Sequence, residues 1–321
     1  MTSKAKNTYS IHNWKQYNKA LIERGSITLW FSEDAINKWH AVDEKKSKGR
    51  PQIYSDEAIL CALLIKTIYN LPLRALQGFL YSIVMLLGLK ISIPSYTQIS
   101  RRARDLGKAL EKLSKTFPKD VVFDSTGFKV YGEGEWKVKQ HGASKRRTWK
   151  KLHIGMDPRS GEIIVAELTD NGMNSGDGKI AEKLIDQLPK GIKRIFGDGA
   201  YDEFDCRRKI EEIGAEPMIA PPINAVIHKV ADKAIIKRNT AILEITGLGG
   251  DDLARKLWKK LKGYHKRSLV ETTMYRIKQL TGNTLKSREK KRQATEAYVK
   301  CLAVNTMTKL GMPIGKWKNA A

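Results

Sequence analysis

An α/β architecture is what the sequence predicts: a helical region over residues 1–116, followed over 117–321 by a mixed sheet with flanking helices. Three observations carry this. Before Pro118 the apolar residues recur at helical spacing behind capping signals. After it, short apolar runs alternate with amphipathic stretches. Between two of those runs lies Asp157-Pro158-Arg159-Ser160-Gly161, the composition of a tight turn joining two strands.

In the first region, Ser55 ahead of Asp56 and Glu57 opens one helix, and Pro72 opens a second that Gly88 closes. Ser95, with Gln98 three residues on, forms a capping box for a third. Three short helices in succession suggest a helix-turn-helix-like unit. Its third member runs from Ser95 to Leu106 and carries Arg101, Arg102 and Arg104 among other polar side chains. Such a surface suits the base edges and phosphates of a DNA major groove, although arginines that merely face solvent give the same pattern.

In the second region, Val121 to Asp124, continuing to Val130, reads as a buried strand. Leu152–Met156 and Ile163–Leu168 read as a hairpin, Gly178–Leu188 as a helix, and Lys193–Phe196 as a strand that ends at Asp198. A helix from Glu203 to Ile213, stopped by Gly214, and a strand from Pro217 to Ala220 follow. The stretch from Ile223 to about Lys262 breaks the alternation and reads as an insertion. Helices from about Ser268 to Leu280 and from Ala294 to Leu310 finish the chain.

Composition narrows the functional classes. The 321 residues include 59 Lys and Arg against 34 Asp and Glu, a formal net charge of +25. An excess of that size calls for a polyanionic partner, and nucleic acid is the first candidate. With no apolar run long enough to span a bilayer and no signal-like N-terminus, a soluble cytoplasmic protein is expected rather than a membrane one. Cys61, Cys206 and Cys301 lie far apart in apolar helical patterns and read as small buried hydrophobes, not as disulfides or a thiolate metal site. The charge is also concentrated: Arg255 to Arg292 holds 14 Lys and Arg against two acidic residues, Glu271 and Glu289. A solvated helix face would interleave both signs, and this one does not.

Carboxylates carry the chemistry. Open α/β sheets place ligand sites beyond the carboxyl ends of their strands, and Asp124 and Asp198 are read at such ends. Either alone could be a turn former or a cap; the pair is the stronger signal. Glycines flank Asp198 and would let the backbone turn sharply there, while Asp202 reads as the cap of the next helix. Glu271 could be a salt-bridge acceptor among cations if its spacing were arbitrary. His141 and His153 show no zinc-ligand spacing and read as surface or internally satisfied residues.

The spacing is not arbitrary. Tyr264, two residues, Arg267, three residues, Glu271, six residues, Lys278 matches without a gap the Tyr-Arg-Glu-Lys signature of the insertion-sequence-four superfamily of DDE transposases, which the chain therefore resembles. Within it the chain is similar to the insertion-sequence-five family through Gly49-Arg50-Pro51, Leu73 to Phe79, Gly132 to Lys137, Gln140-His141-Gly142 and Asp198 to Asp202. Ser125 stands where that family often has Gly.

The resemblance implies an RNase H-like catalytic fold with Asp124 on its first strand, Asp198 just after its fourth and Glu271 on a later helix. It implies that these three carboxylates are the catalytic and metal-binding residues, holding two Mg2+ ions, with Mn2+ as substitute, about 3.5–4 Å apart. Tyr264, Arg267 and Lys278 would contact the transposon end, and Trp136 could stack on a flipped base, although tryptophan is more often core or groove lining. The implied partner is double-stranded DNA, both terminal inverted repeats and target, with a homodimer in the synaptic complex at a bacterial nucleoid. A nuclease or resolvase without strand transfer, and a catalytically silent DNA-binding protein, stay open as alternatives.

Overall fold

A computed structural model describes residues 8–41, 51–131, 149–170 and 176–318. The chain divides into two compact units, Met1–Tyr96 with Ala303–Ala321, and Thr97–Leu302. In the first, β1 (Thr8–Ile11) leads into α1 (Trp14–Glu23), α2 (Ile27–Trp30), α3 (Glu33–Asn37), α4 (Asp56–Ile68) and α5 (Leu73–Leu86). The predicted boundaries have their expected causes. The Ser55 hydroxyl accepts the Ala58 amide at 3.0 Å, Pro72 precedes α5, and Gly88 has φ +63° just past its end. Trp39 anchors this unit, fully buried with its indole N–H donated to the Ser92 carbonyl at 2.7 Å. No single helix among the described residues is long and apolar enough to cross a membrane.

α6 (Tyr96–Leu106) begins at the boundary between the units, and Ile99, Ala103 and Leu106 are its buried residues. The second unit is built on a six-stranded mixed sheet. Its strands are β2 (Asp120–Val130), β3 (Trp149–Met156), β4 (Ile163–Asp170), β5 (Arg194–Gly197), β6 (Glu216–Ile219) and the two-residue β7 (Thr284–Leu285). The order is β4-β3-β2-β5-β6, with β7 also on β2. β2, β3 and β4 are antiparallel neighbours, whereas β5 and β6 run parallel to β2. The helices of this unit are α7 (Asp177–Gln187), α8 (Phe204–Glu212), α9 (Lys233–Gly247), α10 (Asp252–Leu261) and α11 (Leu269–Thr281). α12 (Lys290–Leu310) starts four residues before its expected beginning, and β8 (Gly315–Lys318) closes the chain by pairing antiparallel with β1.

Phe123, Ile164, Ile180, Leu184, Ile195 and Ile210 pack α7 and α8 onto one face of the sheet. The expected α/β class, with a helical N-terminal region and helices on a mixed sheet, is therefore the observed one. The three cysteines are buried and unpaired, Cys61 in α4, Cys206 in α8 and Cys301 in α12.

Three local expectations change. Asp124 is not at a strand end but inside β2, which runs on to Val130 as read because β3 pairs with it as far as Lys129. The glycines beside Asp198 are not there for left-handed backbone, since neither has positive φ. Gly197 is required by packing: a Cβ on it would lie 2.9 Å from the Tyr201 ring. Asp202 does not cap α8, whose N-cap is Glu203. Its side chain, 2% exposed, accepts Arg207 Nε at 2.6 Å and Arg238 Nε at 3.0 Å, while the two guanidiniums also donate to the Ile219 and Val226 carbonyls. Two buried cations around one carboxylate outweigh a single capping bond. Asp202→Ala would strand both guanidiniums, so it should destabilise the protein by roughly 3–5 kcal/mol in urea titration, with the slope unchanged.

Candidate active site

The parallel register of β2 and β5 creates the site. Val122 pairs with Phe196 at the end of the ladder, and Asp124 on β2 and Asp198 just past β5 each follow two residues later, close enough that the Asp198 charge acts on Asp124. β5 stops at Gly197 and β7 joins β2 only at Lys129, so among the described residues no strand pairs with this edge of β2 in between. The 3-10 turn Tyr264–Ser268 and α11 pack against β2 there and bring the Tyr-Arg-Glu-Lys residues to the same edge.

Each side chain is held. Asp124 accepts the Ser125 amide at 2.8 Å and faces Arg267 at 3.7 Å. Burial pushes its carboxyl above the ordinary range; the Ser125 amide and Arg267 pull down, and the charges of Asp198 and Asp177 push up. Asp198 accepts the Ala200 amide at 2.9 Å through its own side chain. Arg267 also pairs with Glu271 one turn on, so a single guanidinium spans Asp124 and Glu271. Glu271 is the outermost of the three, its side chain 57% exposed, and Lys278 lies two turns beyond Arg267's partner, half-buried.

Asp124 and Asp198 are thus brought near each other, and Glu271 is linked to Asp124 through Arg267. Among the described residues no three His, Cys, Asp or Glu side chains already cluster closely enough to hold a metal ion. The donor set nevertheless fits hard divalent cations. Two adjacent carboxylates, one raised by burial and by its neighbours' charge, are an all-oxygen site that gains from added positive charge.

Tyr264 is 9% exposed, and its hydroxyl is donated to the Gly197 carbonyl at 2.8 Å, next to Asp198. Burial pushes the phenol up to about 12. The DNA contact implied for Tyr264 is therefore not open to its hydroxyl, which braces the Asp198 turn instead. Arg101 is exposed on α6, Arg102 half-buried, and Arg104 is paired with Glu289 at 3.2 Å. Trp136 and His141 lie outside the described residues.

Two supports were missed in the sequence. Asp177, at the start of α7, meets Lys151 Nζ at 2.8 Å and His153 Nδ1 at 3.2 Å, and also bonds the Ser125 side chain. Burial works to raise this carboxyl, but His153, Lys151 and Ser125 together outweigh it and hold it at about 2. His153 is fully buried, and its Nε2 meets Thr169 Oγ1 at 3.0 Å. Asp120 binds Arg194 in a two-pronged pair and Lys266 at 2.8 Å, fastening the residue before Arg267 to the start of β2. A helix-start Asp and a strand-start Asp carry no sequence signal beyond local turn chemistry.

Comparison with known proteins gives these residues a family. Two family profiles, each described as a transposase DDE domain, match residues 22–133 and residues 115–306. An uncharacterized protein of Aquifex aeolicus (strain VF5) is 24% identical over 283 residues, 83% of this chain and 77% of that protein. Among solved structures, the piggyBac transposase in a synaptic complex with hairpin DNA aligns over 95% of this chain and 84% of its own, at 8% identity and a TM-score of 0.27. The second profile covers more than half of the sequence, including Asp124, Asp198 and the whole Tyr264 to Lys278 signature, and the chain belongs to the transposase DDE domain family.

Proposed function

We propose that the protein is a transposase that binds the terminal inverted repeats of an insertion sequence, cleaves at its ends and joins the 3′ ends to target DNA by two-metal phosphoryl transfer. The motifs further favour the insertion-sequence-five family, near the transposase of insertion sequence nine-zero-three. One observation carries the reading. In a chain of this family, Asp198, just past the end of β5, acts by its charge on Asp124 of the neighbouring strand, and one guanidinium ties Glu271 to Asp124.

Asp124, Asp198 and Glu271 are the residues that would hold a pair of Mg2+ ions, Mn2+ substituting, which supply activation of the attacking oxygen and stabilisation of the leaving 3′ oxygen. The chain's own residues prepare for this. Ser125 N–H orients Asp124, and Tyr264 with the tightly packed Gly197 fixes the turn that carries Asp198. Arg267, now on two carboxylates, exchanges one of them for a phosphate when DNA binds, which releases Glu271 to the site. Lys278 and the α6 arginines Arg101, Arg102 and Arg104 serve as phosphate contacts, and Trp136 as a stacking platform. Water and a 3′ hydroxyl are alternative nucleophiles for one in-line displacement at phosphorus, so cutting and joining need no second site. Joining two ends to one target calls for a homodimer.

The deciding experiment incubates the protein with a labelled terminal inverted repeat, plasmid target and Mg2+. End cleavage followed by plasmid joining is expected; cleavage without joining would make it a nuclease, and end binding alone a silent binder. Asp124→Asn should abolish both steps with binding retained. Because Asp124 is raised above its unfolded value, its ionised form costs stability once pH exceeds the ordinary carboxylate range. In divalent-free buffer at neutral pH Asp124→Asn should therefore raise Tm by about 2–4 °C, an advantage that disappears in acid where Asp124 is protonated. The Mg2+-dependent rise in Tm of the parent protein should be lost in this variant.

Tyr264→Phe removes the hydrogen bond to the Gly197 carbonyl, so it should cost about 0.5–1.5 kcal/mol of stability and slow cleavage. Its end-binding affinity should keep the parent's salt dependence, because no phosphate contact is lost; a shallower slope would return Tyr264 to the DNA interface.

A further inference from the structure

Beside the proposed catalytic edge lies a cleft of about 460 Å³, between the Asp198 turn, the Pro221-Pro222 wall and the first turns of α10. Four cationic side chains line it, Arg255, Lys256, Lys259 and Arg267, against two carboxylates, Asp198 and Asp252. The roles of the four differ. Arg255 is committed to the Pro221 carbonyl and holds the wall in place, while Arg267 is shared with Asp124 and Glu271. Lys259 lies over the Tyr264 ring at 5.4 Å, half-buried, with its ammonium at the cleft. Lys256, exposed, stands one turn before it on the same helix side.

This lining carries a net positive charge. Two ammoniums and the Arg267 guanidinium line one opening with Asp252 and Asp198 as its carboxylates, an arrangement that favours an anion. A proline pair on the opposite wall supplies rigidity and no N–H donor, so recognition in the cleft rests on charge rather than on a shaped hydrogen-bond pattern. Point charges on flexible stems, without a donor array for base edges, suit the nonbridging oxygens of a phosphodiester. Asp198 forms one end of the cleft, so an occupant is contiguous with the bond proposed to react there.

The geometry points to this cleft as a phosphodiester subsite, in which Lys256 and Lys259 hold the backbone of the DNA strand next to the reacting phosphate. It rests on the proposed transposase reading and extends it to residues outside the Tyr-Arg-Glu-Lys signature. The anion is a strand phosphate whether the DNA is the transposon end or the target, and the sources are separated in the test.

The test uses the full-length protein and measures its affinity for two labelled duplexes, a terminal inverted repeat and an unrelated sequence, by fluorescence anisotropy from 50 to 200 mM KCl. In Lys256→Gln/Lys259→Gln the slope of log affinity against log salt should shallow by about 1.8. That is about a twelvefold smaller loss of affinity across the range. Lys256→Arg/Lys259→Arg should restore the slope, and an unchanged thermal transition in both variants certifies the fold. Shallowing with the terminal repeat alone assigns the cleft to the transposon end; shallowing with both duplexes assigns it to DNA backbone of either origin. A parent-like slope with both duplexes, in a protein that still cuts its ends, overturns the subsite and leaves the transposase reading intact. A shallowed slope in a protein whose parent neither cuts nor prefers the terminal repeat upholds the subsite and removes the transposase reading.

Discussion

The short parallel ladder between residues 120–122 and 194–196, with β5 ending at Gly197, is the constraint on which the site depends. Had β5 run two residues further, Asp198 would be a ladder residue and the edge of β2 beside Asp124 would be covered. Because it stops, Asp198 leaves the sheet near Asp124, and the open edge accepts the 3-10 turn that carries Tyr264 and Arg267. Gly197 is the point where these demands meet. Its missing side chain admits the Tyr201 ring, and its carbonyl receives the Tyr264 hydroxyl.

Acidic groups crowded on one edge repel, and the surrounding charges are arranged to contain them. Asp177 is bound by Lys151, His153 and Ser125, so it stays ionised and rigid behind Asp124. Asp124 has no such set of partners; burial raises its carboxyl, and one amide and a single shared guanidinium offset only part of that. The contrast separates a carboxylate that is structurally neutralised from one that retains unmet demand for positive charge. On the other side, Asp120 fixes Lys266 and thereby the turn presenting Arg267, so the basic stretch is tethered where it meets the sheet.

The buried Asp202 with Arg207 and Arg238 does comparable work further out. It joins the turn after Asp198 to α8 and α9, the latter within the stretch that breaks the strand-helix alternation. Trp258 and Lys262 then reach Glu244, so α9 and α10 form a braced helical pair that carries the lysines of the cleft toward Asp198.

Much of this was legible along the chain because it rests on local chemistry. Ser55, Pro72, Gly88 and Gly214 mark helix ends through bonds and dihedrals confined to a few residues, and the switch from helical to strand spacing at Pro118 marks the start of the sheet. Tyr264, Arg267, Glu271 and Lys278 stood out through spacing alone. The pairing of β1 with β8 and the pairing of β7 with β2 depend on partners far away in sequence, and so had no local sign. The role of a charged residue was likewise undecided: the same aspartate can cap a helix, hold a buried guanidinium or stand open at a cleft. Only the burial and partners conferred by tertiary packing assign Asp202 to the second role and Tyr264 to bracing a backbone turn, because desolvation and distance set what a polar group does.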